Sequence, residues 1–305
     1  MNILISGVNG FLGSYLAKSF VEQGHFVIGI VRQSSTLLRV SNLKKSSNFV
    51  LAYLEDGVKE IFIQYSPINV VIHTATNYGR GATLPFDVFI ANEFFPLQLL
   101  QYSIEYDVEV FVNTDTFFTN PEFSSYHYLE FYKRSKKNFL EWGKLLAHEG
   151  KIKFVNMRLE QIYGPSDDKA KFTEFIMSAL INNVVELDLT LGDQQRDFIF
   201  IEDVVRLYSF VLDKIYSISD SYVEFEVGTG KSVSIKNFVE IAKHVSGSKT
   251  KLNFGAIPYR KNEIMHSCAN IKPILNLGYV SKFMDLETGI KKFFELEKQY
   301  CERGG

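Results

Sequence analysis

Cysteine is scarce: Cys268 and Cys301 are the only two in 305 residues. They lie far apart with no CxxC or Cys/His spacing around them, which excludes a disulfide framework and a zinc cluster and fits a reducing compartment. Only seven prolines occur, with no repeat and no low-complexity tract, so a domain boundary must come from topology rather than from a linker. Long apolar runs are also missing, since none approaches the ~18 residues of a membrane span. Met1 to Gly7 carries no basic segment ahead of a long apolar one, and a soluble, cytoplasmic protein is expected. Charge of one sign is lacking too: 33 basic against 35 acidic residues leave a net charge of −2, which gives no grip on a phosphate polymer, and nucleic acid is not expected as a partner. Glu202-Asp203 is the nearest approach to a metal-binding pair, but acidic residues suit a helix start, and no metal is expected.

What the chain does have is apolar content, 46% against 22% charged residues, enough for one large core or two modest ones. Short apolar runs alternate with longer amphipathic ones over the first 160 residues, the pattern of βα units around a parallel sheet covered on both faces. The expected class is α/β, a doubly wound Rossmann sheet with a smaller C-terminal lobe. Strands are predicted at Asn2–Ser6, Phe26–Val31, Val70–His73, Val108–Asn113 and Phe154–Leu159, and helices at Leu12–Gln23 and Tyr128–His148. Residues 1–160, with a return segment at about 198–229, form the predicted first domain. Residues 161–197 and 230–305 form the predicted substrate lobe, closing over the carboxyl ends of the strands.

Gly7-Val8-Asn9-Gly10-Phe11-Leu12-Gly13 falls between the first strand and the first helix. Gly7 allows a tight turn, Gly10 lets backbone amides approach a pyrophosphate, and Gly13 allows close helix packing, so a dinucleotide site is expected here. The second strand ends in Arg32-Gln33-Ser34, without the carboxylate that usually binds the adenosine ribose of NAD. A guanidinium suits a 2′-phosphate, and NADPH is therefore expected over NADH, through Arg32 and Ser34.

Of all the tyrosines only Tyr132 has a lysine four residues later, Lys136, which puts both side chains on one helix face. An ammonium near a phenol favours phenolate, so Tyr132 is expected to titrate about 1 to 3 units below its usual ~10 and to act as an acid/base. Thr114 ends the preceding strand.

With these features the chain resembles the extended short-chain dehydrogenase/reductase family that acts on nucleotide sugars, over essentially its whole length. The matching segments are Gly7–Gly13, Val70–Ala75, Asn92, Thr114, Tyr132 with Lys136, Arg158–Pro165, Arg196–Ile199 and Val227–Gly230. The resemblance implies that Thr114 hydrogen-bonds the reacting oxygen, Tyr132 is the acid/base, and Lys136 holds the nicotinamide ribose. It extends the cofactor set to Asn9, Phe11, Leu12, Thr74, Ala75 and Asn92. It places Tyr78 in a loop beside the nicotinamide and puts Arg196 and Arg260 on the substrate diphosphate, with Asn156, Lys171 and Phe172 as pocket candidates. The alternative for the two arginines is ion pairing with Asp197 and Glu263. His73 is expected to be structural, and a homodimer through the Tyr132 helix and its predecessor is implied.

Dehydratases of the family carry Asp-Glu after the threonine, whereas here Asp115 is followed by Thr116, which leaves dehydration without its base. Asp115 and Thr116 are expected to line the sugar pocket instead. The segments around Thr114–Phe118, Phe154–Glu160 and Arg260–Met265 resemble the branch that reduces CDP-4-keto-3,6-dideoxyglucose at C4 in O-antigen sugar biosynthesis, to the abequose or paratose configuration. Glu160 and Gln161 depart from the aromatic and asparagine common in epimerases. A 4-epimerase retaining NAD is the competing enzyme, and a non-catalytic dinucleotide-sensing protein the competing class.

Overall fold

The computed structural model describes residues 1–280 and 282–303, with the side chains of residues 299–303, Cys301 among them, outside the described set. In chain order the elements begin β1 (Asn2–Ser6), α1 (Phe11–Glu22), β2 (Phe26–Val31), β3 (Phe49–Tyr53), α2 (Val58–Tyr65), β4 (Val70–His73), α3 (Pro85–Phe89), α4 (Phe95–Glu105), β5 (Val110–Thr116), α5 (Glu130–His148) and β6 (Lys153–Leu159). They continue β7 (Gln161–Tyr163), α6 (Phe172–Ile181), β8 (Glu186–Leu189), β9 (Gln195–Arg196), β10 (Phe198–Phe200), α7 (Ile201–Lys214), β11 (Tyr222–Val227), β12 (Val233–Ser234), α8 (Ile235–Ser246), β13 (Lys251–Phe254), α9 (Lys272–Asn276) and α10 (Leu286–Arg303). Two compact units emerge: Met1–Arg158 with Tyr208–Phe225, and Leu159–Leu207 with Glu226–Gly305. Of the segment 198–229 that the pattern returns to the first domain, residues 208–225 group with it.

The first unit is built on a seven-stranded sheet of order β3-β2-β1-β4-β5-β6-β11, parallel in the pairs β1·β2, β1·β4, β2·β3 and β4·β5. Ile3, Leu4, Ile5, Val70, Val71 and Ile72 are wholly buried, as strands covered by helices on both faces must be. The α/β doubly wound expectation is met, and the strands at Asn2–Ser6, Phe26–Val31 and Val70–His73 fall where predicted. β5 starts later and runs three residues beyond the predicted Asn113, and β3 was not foreseen. Strand order reverses at β1 and β4, so Gly7 and Thr74, which follow them, lie where an open α/β sheet binds its ligand.

The second unit holds three small pairings, β7·β10 and β8·β13 parallel and β9·β12 antiparallel, with α8 packed on α6 and α10. Asp197 knots it together: its carboxylate accepts from Thr229 N and Gly230 N at 2.9 Å, Thr229 Oγ1 at 2.6 Å and Ala269 N at 3.2 Å. A Cβ on Gly228 would stand 2.5 Å from Asp197 Oδ2, which is why glycine is needed in that turn. No helix among the described residues is long and apolar enough to cross a membrane.

Candidate active site

Gly7 adopts φ +71°, and a Cβ there would lie 2.7 Å from the backbone of Ala75. A Cβ on Gly13 would lie 2.3 Å from Gly7 O and 2.8 Å from Thr74 Oγ1, so only glycine lets α1 start this close to the β4 exit. Gly10 N donates to Gly7 O at 2.8 Å and Thr74 Oγ1 to Ser6 O at 2.7 Å, fixing the turn. Val8 is wholly buried against Gly29 of β2, where a Cβ would lie 2.6 Å from Val8 Cγ1. No side chain caps α1 and its first turn has no acidic residue, so the positive end of its dipole is left to an external anion. These features fit a dinucleotide pyrophosphate, with Phe11 and Leu12 buried beneath the loop.

Arg32 and Ser34 are exposed just past β2. Two neighbours escaped the sequence reading. Arg39 Nη1 donates to Asn9 O at 3.2 Å, bringing a second guanidinium to the glycine loop, and Glu55 accepts from Gln33 N through both oxygens at 3.0 Å. Neither belongs to a local motif, so only the folded chain reveals them.

Asn92 is wholly buried within a π-helical turn, Ile90–Phe94. Its Oδ1 accepts from Asn77 N at 2.7 Å and Thr76 Oγ1 at 3.3 Å, while Nδ2 donates to Asn77 O at 2.7 Å and Ser135 Oγ at 3.1 Å. The carboxamide therefore braces the loop after β4, and through Nδ2 it ties that loop to Ser135 of α5. His73 is structural as expected, its Nδ1 2.7 Å from Ser6 Oγ and its ring packed against Phe95 and Phe139, and burial holds it neutral.

Tyr132 and Lys136 are both buried on α5. The expectation of a depressed phenol is overturned: burial, then the neighbouring Tyr78, hold the Tyr132 phenol well above its ordinary range, and contact with Thr116 and the charge of Arg80 offset this only in part. The rings of Tyr78 and Tyr132 lie 5.0 Å apart, with the Arg80 guanidinium 4.7 Å from the Tyr78 centroid. Lys136 Nζ donates to Thr114 O at 2.8 Å, and burial lowers the amine to about 8, against an opposing pull from Asp115. The Thr114 hydroxyl is 2.8 Å from Tyr208 OH, whereas the Thr116 hydroxyl is the one that reaches Tyr132. Asp115 is 2% exposed, and its Oδ2 accepts from Thr119 Oγ1 at 2.8 Å and Asn156 Nδ2 at 3.2 Å.

In the second unit Arg196 pairs with Glu263 at 3.0 Å, both side chains buried, while Asp197 is taken by the knot described above. The Arg196 partner is thus Glu263 rather than the adjacent Asp197, and the pair is buried rather than on the surface. Arg260 is exposed, and its carbonyl accepts from Glu263 N at 3.2 Å. Lys171 bonds Asp167 at 3.0 Å, and the half-buried Phe172 ring faces Phe238 at 6.2 Å. Glu160 is buried with Ser267 Oγ 2.7 Å from both carboxyl oxygens, and burial raises it to about 8, so a neutral carboxylic acid stands there at pH 7.

A family model described as the NAD dependent epimerase/dehydratase family matches residues 3–228. The chain is 35% identical over 302 residues to a CDP-abequose synthase of Salmonella typhimurium, covering 96% of this chain and 97% of that one. It is 32% identical over 297 residues to a CDP-abequose synthase of Salmonella muenchen, covering 97% and 98%. Its fold superposes with TM-score 0.82 on UDP-glucuronic acid 4-epimerase of Bacillus cereus solved with UDP-glucuronic acid and NAD, at 20% identity, covering 98% of this chain and all of that one. The glycine turn, the Tyr132 and Lys136 helix and these matches together make the chain a member of the NAD dependent epimerase/dehydratase family, an enzyme of the NAD(P)-dependent oxidoreductase type.

Proposed function

We propose that the enzyme is an NADPH-dependent 4-ketoreductase of a nucleotide-linked deoxyhexose, converting CDP-4-keto-3,6-dideoxy-D-glucose to CDP-abequose. The observation that carries this reading is the Tyr132 phenol, buried on α5 beside the Tyr78 ring and reached by the Thr116 hydroxyl, because reduction of a ketone needs a proton donor at the carbonyl oxygen. Two full-length relatives bearing the name CDP-abequose synthase support the substrate. Thr116, where a dehydratase has glutamate, argues against water loss.

The residues of the chain divide the work. Gly7, Asn9, Gly10, Phe11, Leu12 and Gly13 would hold the pyrophosphate, and Arg32, Ser34 and Arg39 the 2′-phosphate, which favours NADPH. When bound, the dinucleotide supplies hydride to C4. Tyr132 donates its phenolic proton to the carbonyl oxygen and is reprotonated from solvent, so ketone, hydride and proton balance as a secondary alcohol. Lys136 places a positive charge one helical turn away, which stabilises the phenolate left behind. Thr114 and Thr116 supply hydroxyls to the same strand end. Arg196 and Arg260 are assigned to the substrate diphosphate, and Tyr78, Glu160, Lys171 and Phe172 to its surroundings. The same reading makes the enzyme a cytoplasmic homodimer serving O-antigen lipopolysaccharide synthesis.

The test supplies purified protein with NADPH and a panel of nucleotide-linked 4-keto sugars, following loss of NADPH absorbance and product configuration by NMR. Stoichiometric oxidation giving the axial 4-hydroxyl is the expected result. Protein that arrives with tightly held NAD and interconverts 4-epimers without consuming cofactor would overturn the reading. Arg32→Ala is expected to raise KM for NADPH while leaving NADH unchanged.

A further inference from the structure

Asn113 and Asp115 share one face of β5, and Asn156 on the adjacent β6 meets both. The Asn156 carboxamide is fully committed: Oδ1 accepts from Asn113 Nδ2 at 2.8 Å, and Nδ2 donates to Asp115 Oδ2 at 3.2 Å and to Glu224 Oε2 at 2.8 Å. Glu224 also accepts from Tyr222 OH at 3.0 Å and from Arg158 Nη2 at 2.5 Å. Together with Thr119, these bonds turn Asp115 Oδ2 into the protein, and Asp115 Oδ1 is buried without a hydrogen-bond partner among the described residues. A substrate ligand has no need of such a frame, which holds one carboxylate immobile inside the sheet.

Nearby, Lys136 is 2% exposed, and its ammonium makes a single hydrogen bond among the described residues, to the neutral Thr114 O. A buried ammonium so poorly solvated is costly unless a negative charge stands close. The titratable groups in its electrostatic reach are Asp115, next to Thr114 on β5, and His73 on β4, which burial holds neutral; burial also raises the Asp115 carboxyl, and the Lys136 charge draws it back down, so each of the two groups favours the charged form of the other. Asp115 in turn faces Tyr132 on α5, Tyr208 on α7 and Tyr222 on β11, none of which bears a positive charge. We propose that Asp115 is a positioning residue, the buried counter-charge of Lys136, and that Asn156 and the Glu224–Arg158 pair hold its carboxylate in that role rather than for contact with the sugar. Asp115 acts on the reaction only through the ammonium, and only the turnover arm of the test below rests on the ketoreductase reading.

Lysine Cε resonances are followed by NMR against pH in the whole protein, with Lys136 identified by its loss in Lys136→Met. The wild-type midpoint is expected near 8. In Asp115→Asn it is expected to fall by about one pH unit, because burial then acts unopposed. Asp115→Glu, which keeps the charge, should stay near wild type, and Asn156→Ala, which frees the carboxylate, should lie between. With NADPH and the 4-keto sugar, turnover of Asp115→Asn at pH 8 should fall roughly fivefold with KM unchanged, as the protonated fraction of Lys136 drops. An unmoved Lys136 midpoint in Asp115→Asn, or a raised KM for the sugar in its place, overturns the proposal. Should Asp115→Asn fail to fold, an unmoved midpoint in Asn156→Ala overturns it equally. If wild type itself reduces no 4-keto sugar, the functional reading falls while the titration still decides the role of Asp115.

Discussion

Tyr132 shows how far burial outweighs a nearby charge. Spacing on a helix places Lys136 a turn away, yet the ammonium turns to Thr114 O and the phenol, sunk beside Tyr78, stays protonated. For a reductase that state is the useful one. Tyr132→Phe is expected to lower kcat by ~10² to 10⁴ while leaving dinucleotide binding, read by fluorescence quenching, within twofold of wild type. Glu160 makes a second residue-scale case, this time about stability. Its folded value of about 8 lies above the ordinary 4.5. Between those two values the native state holds a proton that the unfolded chain has released, so stability falls as pH rises through that window. Glu160→Gln keeps a neutral partner for Ser267 and removes the ionisation. Its melting temperature should therefore match wild type near pH 5 and exceed it by several degrees at pH 8. A wild-type advantage at pH 8 would show that the carboxylate is stabilised in the fold.

At the scale of elements, the start of α1 is set by contact rather than by propensity. Gly13→Ala puts a methyl group 2.3 Å from Gly7 O, so the helix must move away from the turn. Dinucleotide affinity is expected to fall at least tenfold in a titration, with Tm lowered. Gly24→Ala meets nothing within 4 Å and should cost only the ~1 kcal/mol of an alanine held at φ +82°, with affinity kept. The glycine turn, β1, β2, β4 and α5 were legible in the sequence because apolar period and turn residues are written locally. What could not be read joins residues far apart in the chain. Asp197 reaches Thr229 and Ala269, Asn156 reaches Glu224, and Arg39 reaches the turn before α1. None of those pairs has a period or a fixed spacing. β3 was missed for a related reason: at the sheet edge its burial does not alternate cleanly, and a five-residue run after Ser46-Ser47-Asn48 carries little signal.

For the whole molecule, the question is what covers the outer face of α5. Tyr132, Lys136, Phe139 and Gly143 face inward, whereas Phe131, Trp142 and Leu145 are about half exposed on the opposite face, with Asn138 between them. Asn138 Nδ2 donates to Glu93 Oε2 at 3.1 Å, joining this face to the π-helical turn before α4, where Ile90 and Phe94 are also exposed. Phe86 and Phe89 of α3, which packs on α5, continue the stripe. In the proposed homodimer, two copies related by a twofold axis would bury this apolar surface as a four-helix bundle. Because α5 carries the proposed acid/base Tyr132 on another face, covering the stripe would also stiffen that helix. Wild type is therefore expected to be a dimer by light scattering at micromolar concentration. Phe131→Glu with Trp142→Glu, changes that touch no buried residue of α5, should yield a folded monomer of lower Tm and reduced kcat. A wild-type monomer, or a double variant that remains dimeric, would place the interface elsewhere.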